Sequence, residues 1–296
     1  MFECRAPTSQ QEFDQYYHLR WKILRKPLNQ EQGSERDNLE TQSIHRAIFD
    51  DKGNVIAVAR LHFSGMLSAQ IRYMAVSDDF QRKGLGKKLV IALEHFAISR
   101  GIKKISLKAR EQAVNFYQNL SYANISFSHL LFNEIKHFNM EKKLARSHSH
   151  LDDISMELQN TWHNTIPLSK AMNLAIGFYD QKSLVTTCDE DFNKNLHNTM
   201  FAGSIYTLAT LTGWGWVHLL IQQKNLDGNI VLADANIRYH RPVAGIAFAK
   251  TGSLLSSGSV DDLKDTNKVK LRVEVQVMSG EKVAATFKGL YFVLPK

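Results

Sequence analysis

Residues 71–93 read IRYMAVSDDFQRKGLGKKLVIAL, and no other stretch constrains the fold as strongly. IRYMAV reads as a strand. The apolar run that opens at Leu89 continues as an amphipathic helix, expected over 84–100, with Gly101 suited to the position after its end. Between strand and helix stand Gly84 and Gly86, surrounded by Arg82, Lys83, Lys87 and Lys88. Glycines let backbone N–H groups approach a ligand closely. A helix N-terminus adds four unpaired donors and a partial positive charge. A pyrophosphate fits such a site. The same residues would also serve as an ordinary tight turn with a solvated basic helix start. Two phosphate motifs are excluded: Leu89 stands where a dinucleotide fingerprint needs its third glycine, and a P-loop would need glycine at Gln81 and Ser or Thr at Lys88.

The sequence around this stretch alternates helix and strand. Residues 11–24 read as a helix with Phe13, Tyr16, Tyr17, Leu19 and Ile23 near one face. Residues 25–41 are polar and loop-like. Strands are expected at 44–49 and 55–63, about the turn Asp51-Lys52-Gly53-Asn54, and at 71–76. After the helix come a strand at 104–108, a helix from about 111 to 120, and strands at 129–132 and 137–142. The expected unit is α/β and spans 1–145.

Residues 146–153 are polar and aperiodic and read as a linker. His148 and His150 lie in it, but two histidines in a linker seldom bind metal, and none is expected. The second unit, 154–296, should begin with helices at 154–160 and 169–173 and strands at 175–180 and 183–187. A long apolar helix follows from about 200 to 222, then strands at 230–239, 247–256, 268–278 and 281–294. One long helix followed by antiparallel strands is an α+β pattern. The most apolar window, 201–221, contains Ser204, Thr207, Thr210, Thr212 and His218, so it reads as a buried core helix and not a membrane span.

Charge separates the halves. Residues 1–146 hold 23 Lys and Arg against 15 Asp and Glu, whereas residues 147–296 hold 14 of each. A basic half can attract nucleic acid, anionic cofactors or acidic proteins. The chain has no zinc finger, RNP-type aromatic motif or basic heptad helix, so nucleic acid is not the expected partner. Cys4 and Cys188 lie far apart and form no disulfide framework, which fits a reducing compartment. The first residues lack the apolar run of a secretory signal, so a cytoplasmic location is expected.

Gln81-Arg82-Lys83-Gly84-Leu85-Gly86 resembles the acetyl-CoA loop of the GNAT acyltransferase family, [QR]-x-x-G-x-[GA] between a strand and a helix. Ala113-Val114-Asn115-Phe116-Tyr117-Gln118-Asn119-Leu120 resembles that family's A-x-x-F-Y-x-x-L segment, and His137-Phe138-Asn139-Met140 its closing strand. The resemblance covers about residues 1–145. It implies a GNAT fold that binds acetyl-CoA or another acyl-CoA through Gln81, Arg82, Lys83, Gly84, Leu85, Gly86 and Lys87. Backbone groups of Met74 and Val76 would meet the pantetheine arm, and Tyr117 would serve as general acid towards the CoA thiolate. One departure is Ser121, where the family usually has glycine before the last aromatic, here Tyr122. No base for an acceptor amine is evident. Glu94 is expected to be solvated, and Arg72 and Tyr73 are equally suited to strand packing.

In the second half, Asn193, Asn195 and Asn198 precede the long helix with His197 and Thr199 among them. Amides just before a helix N-terminus can donate to an oxyanion. Asn198 or Thr199 could instead simply cap the helix. The segment Asn193–Ser204, together with ANIRYHRPVAG at 235–245, resembles the hotdog fold, a long central helix wrapped by an antiparallel sheet with acyl-thioester sites at a dimer interface. Within that superfamily it is similar to the thioesterase-like domain fused behind GNAT domains in proteobacteria, whose relatives include malonyl-acyl carrier protein decarboxylases. The resemblance implies a homodimer acting on acyl-CoA or acyl carrier protein in fatty-acid metabolism.

Hotdog thioesterases usually place an Asp or Glu near the helix, yet none occurs between Asp191 and Asp227. Decarboxylation of a malonyl thioester needs no such base. It needs a desolvated carboxylate and donors for the enolate oxygen. Asn195 and Thr199, with Asn193, are the expected donors. Trp214 and Trp216 could be core or pocket wall. Thioester hydrolysis stays open through His197, His218, Asp189 or Asp191. A non-catalytic role for the first half, as a CoA sensor or docking module, also stays open.

Overall fold

Ile44, Ala47, Ile48, Val58, Leu61, Ile71 and Ala75 are buried side chains of three adjacent strands, and they seed the core of the first half. The computed structural model describes residues 2–132, 134–144, 150–265 and 267–295. The chain divides into two units, Met1–Ala145 and Arg146–Lys296.

The first unit runs β1 (Glu3–Arg5), α1 (Gln10–Leu24), β2 (Ile44–Phe49), β3 (Val55–Gly65), β4 (Ser68–Val76), α2 (Leu85–Ser99), β5 (Lys104–Arg110), α3 (Val114–Gln118), β6 (Ala123–Leu131) and β7 (Ile135–Lys143). Its sheet has the order β1-β2-β3-β4-β5-β7-β6. Helix α1 starts where Ser9 Oγ accepts the Glu12 N–H at 3.2 Å, and Glu12 in turn accepts from the Thr8 N–H at 2.6 Å. Among the described residues only β4 and β5 pair in parallel, from Ser68↔Lys104 to Ile71↔Leu107. The ladder stops there although both strands continue, so they part into a cleft. In β4, Tyr73 and Met74 together face the single residue Ala59, because Arg72 pairs with Arg60 and Ala75 with Val58. Tyr73 takes φ 54° in this bulge, which re-aims the strand. The buried Tyr16 hydroxyl donates to the Ala59 carbonyl at 2.9 Å, supplying a partner at the irregular point of the ladder.

The second unit runs α4 (His150–Thr165), α5 (Pro167–Ala171), β8 (Ala175–Tyr179), β9 (Ser183–Thr187), α6 (Ala202–Gln223), β10 (Asn229–Tyr239), β11 (Ala247–Gly252), β12 (Ser256–Ser257), β13 (Val269–Ser279) and β14 (Lys282–Leu294). The antiparallel sheet order is β10-β14-β13-β11-β9-β8, with β12 on β13. Helix α6 contacts β9, β10, β11, β13, β14 and α4. Its apolar residues are therefore buried on several sides. Leu208, Trp216 and Val217 pack in one core with Val273, Val275, Val277, Phe287 and Tyr291. Alternation along β13 puts Val269, Leu271, Val273, Val275 and Val277 inside while Lys270 and Arg272 are exposed. A Cβ at Gly213 would run into the Tyr291 hydroxyl, and one at Gly215 into the Trp162 ring. These two positions let large side chains touch the helix backbone, and Tyr291 Oη donates to the Thr210 carbonyl at 2.9 Å. Among the described residues no helix is long and apolar enough to cross a membrane.

Several elements differ from the sequence expectation, among them the following. Strand β1 is too short to carry a pattern. Strand β6 extends N-terminally to Ala123 because an edge strand with Ile125 and Phe127 exposed shows no inside–outside alternation. The expected strand 247–256 breaks at Gly252, where a Cβ would strike the Lys182 carbonyl and a 3₁₀ turn, Ser253–Leu255, follows. Helix α4 begins at His150, inside the expected linker, and continues to Thr165 around the buried Trp162. The rest of the linker, including His148, lies outside the described residues.

Candidate functional site

In the first unit the chain leaves β4 at Val76 and returns through a 3₁₀ turn, Asp78–Phe80, to Gln81. Gly84 is the N-cap of α2 at φ 77° and makes no side-chain cap hydrogen bond, so the leading N–H groups of α2 stay available. Arg82 also takes a left-handed φ of 59°, a conformation that costs a non-glycine residue about 1–2 kcal/mol. Gly86 serves a different need: a Cβ there would lie 3.2 Å from Phe116 Cζ and 3.7 Å from Met74 Cε. Leu85 is buried in the core, which leaves only its backbone for a ligand.

The basic residues of this loop divide into two groups. Lys83 Nζ donates to the Asp79 carbonyl at 3.0 Å, and Lys88 Nζ to the Phe2 carbonyl at 2.5 Å. Arg82 and Lys87 are exposed and hold no partner among the described residues. Gln81 Nε2 donates to Asp78 Oδ1 at 2.8 Å, which ties the loop to its own turn.

Where β4 and β5 part, a cavity of about 200 Å³ opens, lined by Arg25, Arg72, Tyr73, Met74, Lys108, Arg110, Tyr117, His129 and His137 among others. Tyr117 is buried on α3 with its hydroxyl 3.8 Å from Met74 Sδ. Burial raises its pKa far above the ordinary tyrosine value, so it stays protonated and can donate. Ser121, at the departure from the family pattern, takes the left-handed φ of 68° that glycine would hold there.

The cavity also contains residues that sequence reasoning did not find. His129 and His137 face each other across β6 and β7 and stack with ring centroids 4.8 Å apart. His137 Nδ1 lies 3.0 Å from the Ile135 carbonyl, which can only accept, so Nδ1 carries the proton and Nε2 its lone pair. Burial, then the neighbouring cations, lower both histidines' pKa values, leaving neutral imidazoles that can accept a proton. The available signal was hairpin register, which places residues 129 and 137 opposite one another across the turn.

A second unforeseen feature anchors the bulge. Asp37 bridges Arg60 Nη1 at 2.6 Å and Arg72 Nη1 at 3.2 Å, and accepts from the Tyr73 hydroxyl at 3.2 Å. Glu40 bridges Arg20 at 2.8 Å and Arg60 at 2.7 Å. Arg20 and Arg60 are fully buried. Their guanidinium groups hold both carboxyls below the usual range. The polar run at 25–41 thus supplies the counter-ions of the core beside β4. Glu94 corrects another expectation: it is buried, not solvated, and its carboxylate receives Lys142 Nζ at 2.8 Å.

In the second unit the three asparagines separate by role. Asn193 is buried, and its amide donates to the carbonyls of Asp189 at 2.7 Å and Met172 at 3.2 Å, so it positions the loop. Asn195 Nδ2 donates to Thr199 Oγ1 at 3.1 Å, while its Oδ1 accepts from the His197 N–H at 2.9 Å and the Thr199 N–H at 3.3 Å. Asn198 takes φ 55° in the turn they enclose. The simple capping role does not hold for Asn198 or Thr199: α6 starts after Phe201, without any side-chain cap. Asp191 is spent on Lys194 at 2.8 Å. Trp216 is fully buried in the core, and His218 stacks on Trp214 with centroids 5.2 Å apart.

Comparison with known proteins matches residues 13–122 to the "Acetyltransferase (GNAT) family" and residues 155–295 to "Putative thioesterase (yiiD_Cterm)". A solved structure of a putative thioesterase from Shewanella oneidensis is 43% identical, covering 49% of this chain and 99% of that one with a TM-score of 0.47. The uncharacterized protein YyaT of Bacillus subtilis is 27% identical over 113 residues, 38% of this chain and 74% of its own length. The chloroplastic GCN5-related N-acetyltransferase 2 of Arabidopsis thaliana is 40% identical over 68 residues, 23% of this chain and 26% of its own length.

Proposed function

We propose that this chain, whose first domain belongs to the acetyltransferase (GNAT) family and whose second belongs to the yiiD C-terminal family of putative thioesterases, is a two-domain enzyme of acyl-thioester metabolism. In the first domain the loop from Gln81 to Lys87 holds the pyrophosphate of acetyl-CoA, chiefly through free N–H groups of α2 with Arg82 and Lys87. Backbone groups at Met74 and Val76 hold the pantetheine, and Tyr117 protonates the departing thiolate. His137 Nε2 takes the proton released by the acceptor amine.

The hotdog domain decarboxylates a malonyl thioester to the acetyl thioester. The observation that carries this reading is the Asn195–Thr199 pair beside an uncapped helix N-terminus. Cleavage of the carboxylate C–C bond releases carbon dioxide and leaves its electron pair as an enolate, which takes a proton at carbon. Asn195 Nδ2 keeps one amide hydrogen beyond its bond to Thr199, and that hydrogen with the N–H groups of α6 stabilises the enolate oxygen. Two features support a homodimer: among the described residues β10 is an edge strand paired with β14 alone, and Phe192, Leu196, Phe201 and Tyr239 expose large apolar surface, Tyr239 reaching the start of α6 through its bond to the Ala202 carbonyl. The basic first half favours an acidic acyl carrier protein as the thioester carrier, and two unpaired cysteines favour the cytoplasm.

A second reading, a thioesterase, is favoured by the family match. Asp189, His197 or His218 would then activate water. Incubation with malonyl carrier protein separates the readings. Acetyl carrier protein with carbon dioxide is the expected product, free carrier thiol with malonate is the thioesterase result, and no turnover of any acyl thioester would leave a binding module.

A further inference from the structure

The cavity between β4 and β5 carries an unbalanced charge. Arg25 and Arg110 converge on one backbone oxygen: Arg25 Nη1 donates to the Leu24 carbonyl at 3.3 Å and Arg110 Nη2 to the same carbonyl at 3.1 Å. Two guanidinium groups that share an acceptor repel one another unless an anion lies between them. Neither has a carboxylate partner among the described residues. Glu35, whose field reaches Arg25, is already held by the Gly33 N–H at 2.7 Å and Arg36 at 3.2 Å. Lys108 and Arg72 add positive charge to the wall, and of these only Arg72 is offset, by Asp37 at 3.2 Å. No Asp or Glu lines the cavity among the described residues.

We infer that the acetyl acceptor is a small amine bearing a carboxylate, an amino acid in chemical class, whose carboxylate is gripped between Arg25 and Arg110. The inference rests on the acetyltransferase reading of the first domain and adds the acceptor to it. Arginine forks match a carboxylate in geometry as well as charge. Both arginines have pKa values lowered by burial, and Arg110's further by Arg25, a burden that a bound carboxylate relieves. The volume agrees. About 200 Å³ exceeds the roughly 150 Å³ cavity that takes up a benzene-sized ligand, so the cavity has room for an amino-acid head. The amine nitrogen attacks the thioester carbon, a C–N bond forms and the C–S bond breaks. The amine proton passes to His137, and the CoA sulfur takes its proton from Tyr117.

The experiment uses the full chain with acetyl-CoA and the twenty standard L-amino acids, each as free acid and as C-terminal amide, reading released CoA thiol. At least one free acid should exceed its amide in kcat/KM by about a hundredfold, and Arg110→Gln should bring the acid down to the level of the amide through KM. Calorimetric titration of the same acids and amides into the protein, both free and in the presence of CoA, gives a second reading without turnover. Equal binding or equal turnover of acids and amides, or binding of neither, overturns the inference. Failure of acetyl-CoA itself to bind would instead remove the acetyltransferase reading, and the calorimetric difference between acid and amide would still report on Arg25 and Arg110.

Discussion

Both ends of the Asn195 amide hold Thr199: Nδ2 donates to Thr199 Oγ1 at 3.1 Å, and Oδ1 lies 3.3 Å from both the Thr199 N–H and the Thr199 hydroxyl, which donate to it. The pair closes a turn in which the Asn195 N–H also donates to the Thr199 carbonyl at 2.8 Å. An amide fixed on both atoms has little freedom left to lose when it meets a developing charge, which is how preorganised donors act.

Asn195→Ala should therefore lower decarboxylation about 100- to 1000-fold, with KM for malonyl carrier protein nearly unchanged. Thr199→Ser keeps the hydroxyl and should retain most activity, whereas Thr199→Val should lose it. Steady-state kinetics of purified variants checks the series, and equal activity in all three would remove the loop from the chemistry.

Gly84→Ala places a Cβ on a residue at φ 77°, a conformation that costs about 1 kcal/mol. Relief of that strain shifts the loop, and acetyl-CoA affinity should fall about fivefold. Calorimetry with acetyl-CoA measures it. Unchanged affinity would show that the loop does not hold the cofactor.

Arg60 is fully buried against Asp37 and Glu40. Both carboxyls have folded pKa values below their ordinary 3.8 and 4.5. Their stabilising contribution is complete above those values and is lost as pH falls below them towards the folded values. Urea unfolding followed from pH 6 to pH 3 should show the first domain losing stability chiefly below about pH 4.5. Asp37→Ala should cost about 2–3 kcal/mol, because it removes one of the two carboxylates that hold the buried Arg60 and leaves Glu40 as the other. A first domain indifferent to both changes would contradict the network.

His137 should produce an acid limb in kcat/KM for acetyl transfer, with an apparent pKa below the ordinary 6.5 because burial and nearby cations favour its neutral form. His137→Gln should remove that limb and slow transfer by about 100-fold or more. A limb unchanged in the variant would assign it to another group.

Much of this was legible in residue order. Strands β2 and β9 and helices α1, α2 and α6 match their periodic patterns to within two residues at each end, because each buries one continuous apolar face. The glycine loop was legible because Gly84 and Gly86 answer to different local needs, a left-handed φ and the approach of Phe116. What escaped the reading depends on contacts distant in sequence. Asp37 and Glu40 look like solvated loop residues until Arg20, Arg60 and Arg72 are brought to them. Glu94 is a helix carboxylate like any other until Lys142 arrives on β7. His129 and His137 become a pair only through hairpin register. Asn193 and Asn195 share a sequence context, and only the fold shows that one is spent on backbone carbonyls while the other keeps a free amide hydrogen.

The central claim is that the Asn195–Thr199 loop stabilises an enolate formed by loss of carbon dioxide. The most direct measurement is mass spectrometry of the carrier-bound product after brief incubation of malonyl carrier protein with the full chain in D₂O. The account predicts an acetyl thioester whose methyl group gains deuterium from the site, formed by the wild type and not by Asn195→Ala. Free carrier thiol and malonate, released equally by both proteins, would contradict it.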